Sequence, residues 1–99
     1  MPKDENAPQR DEKRWTEISE KVKAAIKSVI DPHLEVTEVS ELTAHLLMSQ
    51  IRKESMWRKY TEISESYPGG ASIDDYSAGN CETVKAAIQL VYEKSFGDK

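Results

Sequence analysis

Apolar side chains recur at spacings of three and four between residues 15 and 29: Trp15, Ile18, Val22, Ala25, Ile26 and Val29. That period matches the 3.6-residue turn of an α-helix and not the alternation of a half-buried strand. Glu17, Glu20, Lys23 and Lys27 fall between the apolar positions and point elsewhere. Pro32 disfavours helical geometry at Asp31, so the helix ends in "IDPHLE", where Asp31 and Pro32 could equally open a short new turn.

Two further stretches carry the same period. No glycine or proline interrupts residues 37–66. A second helix capped by Thr37 or Ser40 is therefore expected to run to about Ser66, roughly 40 Å at 1.5 Å per residue. Leu42, Leu46, Trp57, Tyr60, Ile63 and Tyr67 lie in one broad sector of that helix, and Ala44, Leu47, Met48 and Ile51 on the opposite side. "YPGGASIDDYSAGN" reads as a loop, with Pro68, Gly69, Gly70 and Gly79 as breakers. Asn80 or Ser77 then caps a third helix with Val84, Ala87, Ile88, Val91 and Ser95 on one face, and Gly97 stops it. The expected fold is all-α, an up-down-up three-helix bundle with a long central helix. Residues 13–97 form its single helical domain. Residues 1–12, with two prolines and little to bury, form a disordered charged tail. In this register Trp57 and Tyr60 seal one end of the core, beside Trp15.

Ninety-nine residues suit one domain, and a hydrophobic fraction of 37% makes its core thin. A net charge of −4 argues against nonspecific attraction to nucleic acid or an anionic membrane. A signal-peptide pattern is not seen after Met1, and no apolar run approaches the length of a membrane span. Cys81 is the single cysteine, which rules out an internal disulfide and fits a reducing compartment. A cytoplasmic protein is expected.

Several motifs invite specific chemistry. Trp57-Arg58-Lys59-Tyr60 spells the signature of a plant DNA-binding domain that is a small zinc-bound sheet. The letters that follow here are "TEIS", and one cysteine with two upstream histidines cannot assemble a four-coordinate zinc site. The cations Arg52, Lys53, Arg58 and Lys59 scatter around the helical wheel instead of forming a stripe, which disfavours a nucleic-acid interface. Glu38, Glu41 and His45 share a helical face, but side chains flanking a core stripe more often form a solvated edge than a metal site. Cys81 continues the apolar stripe of Val84 and Ile88 and reads as a buried structural thiol, although a helix N-terminus nearby would lower its pKa. The sequence shows no cofactor motif and no catalytic constellation.

Two resemblances bear on function. The pairs Glu17/Glu20 and Glu38/Glu41, separated by about 17 residues, resemble the acidic signature of all-α nucleotide pyrophosphohydrolases of the MazG type. That resemblance implies four carboxylates holding Mg²⁺ for attack on a nucleoside triphosphate. The family's last acidic residue is usually Asp, and Glu17 and Glu20 sit opposite the apolar face of their helix. Secondly, Tyr67-Pro68, Asp74-Asp75, Gly79 and Thr83-Val84-Lys85 are similar to the C-terminal third of colicin DNase immunity proteins. These are small acidic helical bundles that inhibit by charge-complementary binding. Here Ser66 precedes Tyr67 and Ile63 occupies the place of that family's aspartate, so its doubled tyrosine and its acid are missing.

The function expected is that of a small acidic protein-binding module: a regulator, inhibitor or accessory subunit whose partner is another protein. Its candidate partner surface is Tyr67 with Asp74, Asp75 and Tyr76, because exposed aromatics beside carboxylates make interface anchors. A two-faced second helix also needs a second covering, and a homodimer through Leu47, Met48 and Ile51 is expected to supply it.

Overall fold

The computed structural model describes residues 11–97. They form five helices: α1 (Glu12–Lys27), α2 (Gln50–Ser55), α3 (Trp57–Glu65), α4 (Asp75–Gly79) and α5 (Val84–Lys94). Among the described residues the extended pairing amounts to a single antiparallel bridge, Glu41 to Thr83. The fold is all-α. No helix among the described residues is long and apolar enough to cross a membrane.

The core follows the periodic positions. Trp15, Ile18, Val22 and Ile26 of α1 are buried, with Ala25 and Val29 packed against them. They meet Tyr60 of α3 and the Val84, Ala87, Ile88 and Val91 face of α5, and Ser95 beyond α5 is also sealed from solvent. Helices α1, α3 and α5 touch one another, while α2 packs chiefly on α4. Asp11 caps α1 by accepting a hydrogen bond from the Arg14 amide at 3.1 Å. The disordered tail expected for residues 1–12 lies outside the described residues except for Asp11 and Glu12, which belong to the capped start of α1.

The long central helix is a correction. Residues 37–49 are turns, and the reason lies in what their backbone bonds to. The first-turn amides of α5 have no intrahelical acceptor. Val84 N–H donates to Ser40 O at 3.0 Å and Lys85 N–H to Glu38 O at 2.9 Å, while Leu42 N–H donates to Glu82 O at 2.9 Å. The 38–42 backbone thus serves α5 and cannot also serve a helix of its own. Thr37, Val39 and Thr43 are β-branched and give up little helix propensity in the exchange. Helix resumes at Ser49, whose hydroxyl accepts from the Arg52 amide at 3.1 Å. α2 and α3 meet at Met56, whose dihedrals stay helical while its N–H reaches Lys53 O, three residues back.

The ends of the third expected helix also shift. Thr83, not Asn80 or Ser77, caps α5 by accepting from the Ala86 amide. The loop before it contains α4, opened by Asp74, whose Oδ1 accepts from the Ser77 amide at 2.8 Å. Gly70 lets the preceding turn close, because a β-carbon there would overlap the Ser64 carbonyl.

Candidate functional site

The segment after α3 is stitched down before it reaches the acidic residues. Ser64 Oγ donates to Ala71 O at 2.7 Å, and Ala71 N–H donates to Lys94 O at 2.8 Å. Thr61 Oγ1 donates to Ile73 O at 3.1 Å and accepts from Ile73 N–H at 2.9 Å. Ile73 is thereby held in the core, and the chain emerges at Asp74 to begin α4. Gly79 at the other end of α4 lies against Gln50 and Glu54 of α2, and Gln50 Nε2 donates to its carbonyl at 3.2 Å.

Between α3, α4 and the end of α5 this leaves an open cleft of about 540 Å³, lined by Trp57, Ser72, Ile73, Asp74, Asp75, Ser77 and Lys94. The lining is aromatic at Trp57, aliphatic at Ile73 and acidic at Asp74 and Asp75, with one cation, Lys94. Hydrogen bonds from the Ser77 hydroxyl and amide hold the Asp74 carboxyl below the usual carboxylate range, and Lys94 adds to the effect. Asp74 is therefore a fixed anion. Tyr76, flanked in sequence by two cleft residues, is 74% exposed.

Of the residues singled out in the sequence, Asp74, Asp75 and Tyr76 share this helix, and Tyr67 stands apart from them. The Pro68–Gly70 turn sends Tyr67 to α1, where it lines a separate recess with Asp11, Lys13, Arg14 and Glu17. Its hydroxyl donates to Glu17 Oε1 at 2.9 Å, and the Arg14 guanidinium stacks on its ring at 4.6 Å. Burial, then the hydrogen bond to Glu17, pushes the Tyr67 hydroxyl up to about 12. Trp57, expected to seal the core beside Trp15, is instead half-buried and forms the cleft wall, with Arg58 on its ring at 5.3 Å. Trp15 is fully packed and takes Tyr92 as its aromatic neighbour, at 5.3 Å between ring centres. Met48 is a core residue, so of the three expected dimer-face residues only Leu47 and Ile51 stay exposed.

The other motifs find structural employment. Arg52 donates to Val29 O at 2.8 Å. Lys53 is buried, with its ammonium 3.8 Å from Glu82. The Glu38–Glu41–His45 set lies in the turn region, and His45 Nδ1 accepts from the Glu41 amide at 2.8 Å. Glu17 and Glu20 are exposed on α1. Among the described residues no group of three or more His, Cys, Asp or Glu side chains is placed to hold a metal ion, so the four MazG-like glutamates are not gathered. Cys81 is buried, and its Sγ faces Ser77 O at 3.6 Å. Burial pushes its thiol up to about 11, outweighing the nearby Lys53 charge.

Sequence reasoning named Asp74 and Asp75 of the cleft lining and missed Trp57, Ser72, Ile73, Ser77 and Lys94. No local signal marks Lys94. None marks Trp57 either, since the same cations flank Tyr60, which is fully buried. Comparison with protein-family models, with curated proteins and with solved structures finds no match to this chain.

Proposed function

We propose that this chain is a protein-binding module, a regulator, inhibitor or accessory subunit, that engages its partner through α4 and the Trp57 cleft. The observation that carries the reading is Tyr76, an aromatic ring left in solvent between two residues of an open cleft that has an aromatic wall. A tyrosine ring offers large contact area with little entropy to lose, and the half-buried Trp57 in the cleft offers a place for an aliphatic or aromatic anchor. Asp74 and Asp75 favour a partner segment with basic side chains, and the net charge of −4 steers such a partner towards the chain. The unpaired, buried Cys81 suits a reducing compartment, as expected of an intracellular partner.

The test is a photo-crosslinking amino acid placed at position 76 of the full chain, in cells of the native host. The reading expects an adduct of one discrete mass containing a different protein, formed from position 76 and not from an exposed position on α1 such as Glu20. Adducts that form equally from both positions, or none at all, contradict it.

A further inference from the structure

A second surface lies on the α2 side, and its backbone is unusual. The turn 42–46 closes with Leu47 N–H donating to Thr43 O at 3.2 Å and Met48 N–H donating to Leu42 O at 2.9 Å. Closure puts Leu47 at φ +61°, the left-handed region, and among the described residues it is the one non-glycine residue with positive φ. Such closures usually take glycine or asparagine, because a β-carbon is strained there. Leucine is therefore a poor choice for the backbone, and its side chain, 75% exposed, recovers little by packing within the chain. Ile51, four residues on, is 78% exposed. Leu47 itself lines one side of a recess of about 270 Å³ whose other apolar walls are Val29, Ile30, Leu34, Leu46 and Met48.

The same recess carries one acid and one base, Asp31 and Arg52. Asp31 Oδ1 is held by the His33 amide at 2.9 Å and by the His33 imidazole Nδ1 at 3.0 Å, and Arg52 Nη1 by Val29 O at 2.8 Å. Both groups are thus fixed in place, yet a carboxylate and a guanidinium each have further hydrogen-bonding capacity. A protruding apolar side chain, an apolar recess, an acid and a base on one face are what an isologous contact needs, since a two-fold axis brings each feature against its complement. We propose that this face binds a second copy of the chain, with Leu47 of each copy entering the recess of the other and Asp31 of each meeting Arg52 of the other. The occupant is a second copy because the surface supplies both halves of the apolar fit and both halves of the charge pair.

Sedimentation of the full chain over a wide concentration range tests this. The wild type is expected to reach twice the 11.2 kDa chain mass. Leu47→Gly suits the left-handed backbone, and Ile51→Glu places an acid in the first turn of α2, which has none. Both variants should fold at least as well as the wild type at low concentration, yet weaken association about 30-fold or more, the scale of losing a central anchor. Asp31→Arg and Arg52→Asp should each be monomeric alone and should associate when mixed, because only the mixed pair restores both charge contacts. A wild type that stays monomeric at high micromolar concentration overturns the proposal. So does a dimer that survives both Leu47→Gly and Ile51→Glu, or a charge-swapped mixture that fails to associate.

Discussion

The start of α1 and the turn at Leu47 both hold large side chains at the surface, and they treat them in opposite ways. At the start of α1 everything is used. The Arg14 guanidinium lies 4.6 Å from the Tyr67 ring centre and 4.2 Å from that of Phe96. Phe96 meets Tyr92 edge to face at 5.0 Å, Tyr92 meets Trp15, and the Tyr92 hydroxyl accepts from the Asp11 amide at 2.7 Å. At Leu47 and Ile51, and again at Tyr76, the ring or branched chain stands in solvent. The difference teaches which residues the fold requires. Side chains joined within the chain should act on stability, and those left outside should act on association.

The largest break among residues joined within the chain is expected from Gly70→Ala, in the turn that follows Tyr67. A β-carbon there meets a backbone carbonyl, which cannot swing aside as a side chain can. A loss of about 3 kcal/mol in denaturant unfolding is expected, at the upper end for overpacking. Arg14→Ala should follow at about 1–2 kcal/mol, the scale of a partly desolvated cation between two rings. Arg14→Lys should recover only part of it, since an ammonium cannot stack on both faces as a planar guanidinium does.

Alkali should act on the region around the start of α1 through Tyr67 and on the α4–α5 junction through Cys81. The Tyr67 hydroxyl titrates at about 12 in the folded chain and at 10.0 unperturbed. The Cys81 thiol titrates at about 11 and at 9.0 unperturbed. Both groups have raised folded values, so the unfolded chain loses these protons first. Their stabilisation is complete below about pH 9 and is lost as the pH rises through about 11 and then about 12. Unfolding midpoints followed from pH 8 to pH 12 should fall over that window, and Cys81→Ala should blunt the early part of the fall.

Smaller effects sharpen the contrast. Tyr60 is wholly buried and its hydroxyl has no hydrogen-bond partner among the described residues. A buried polar group without a partner is a cost to the fold, so Tyr60→Phe should be neutral or stabilising by up to about 1 kcal/mol. That result would separate Tyr60 from Tyr67, where the hydroxyl is bonded to Glu17.

Helix periodicity made α1 and α5 legible because each buries one face and receives no competing backbone bonds. The same reasoning extended helix into 37–49, where Leu42 and Leu46 keep the four-residue spacing and are both in the core, but so is Met48, which that helix would have turned the other way. What it could not see is that Ser40 and Glu38 carbonyls are claimed by Val84 and Lys85, more than 40 residues away in sequence. α4 was legible in principle. Asp74 followed by a first-turn acid, Asp75, is an N-cap pattern, hidden among breakers that mark a loop. At the candidate site, Asp74, Asp75 and Tyr76 could be named from composition, since an aromatic beside acids in a polar stretch has nowhere to bury. The cleft wall could not, because whether Trp57 faces the core or the cleft depends on the joint at Met56 and on where α4 comes to rest.

The central claim is that α4 carries residues the fold does not need. Its most direct test is the double variant Asp75→Asn/Tyr76→Ala, measured for unfolding free energy and for affinity to the protein crosslinked from position 76. The account expects stability within about 0.5 kcal/mol of the wild type, as for surface changes that touch nothing, and affinity weakened about 30-fold or more. A loss of stability above about 1 kcal/mol with affinity unchanged would contradict it, because Tyr76 would then belong to the fold.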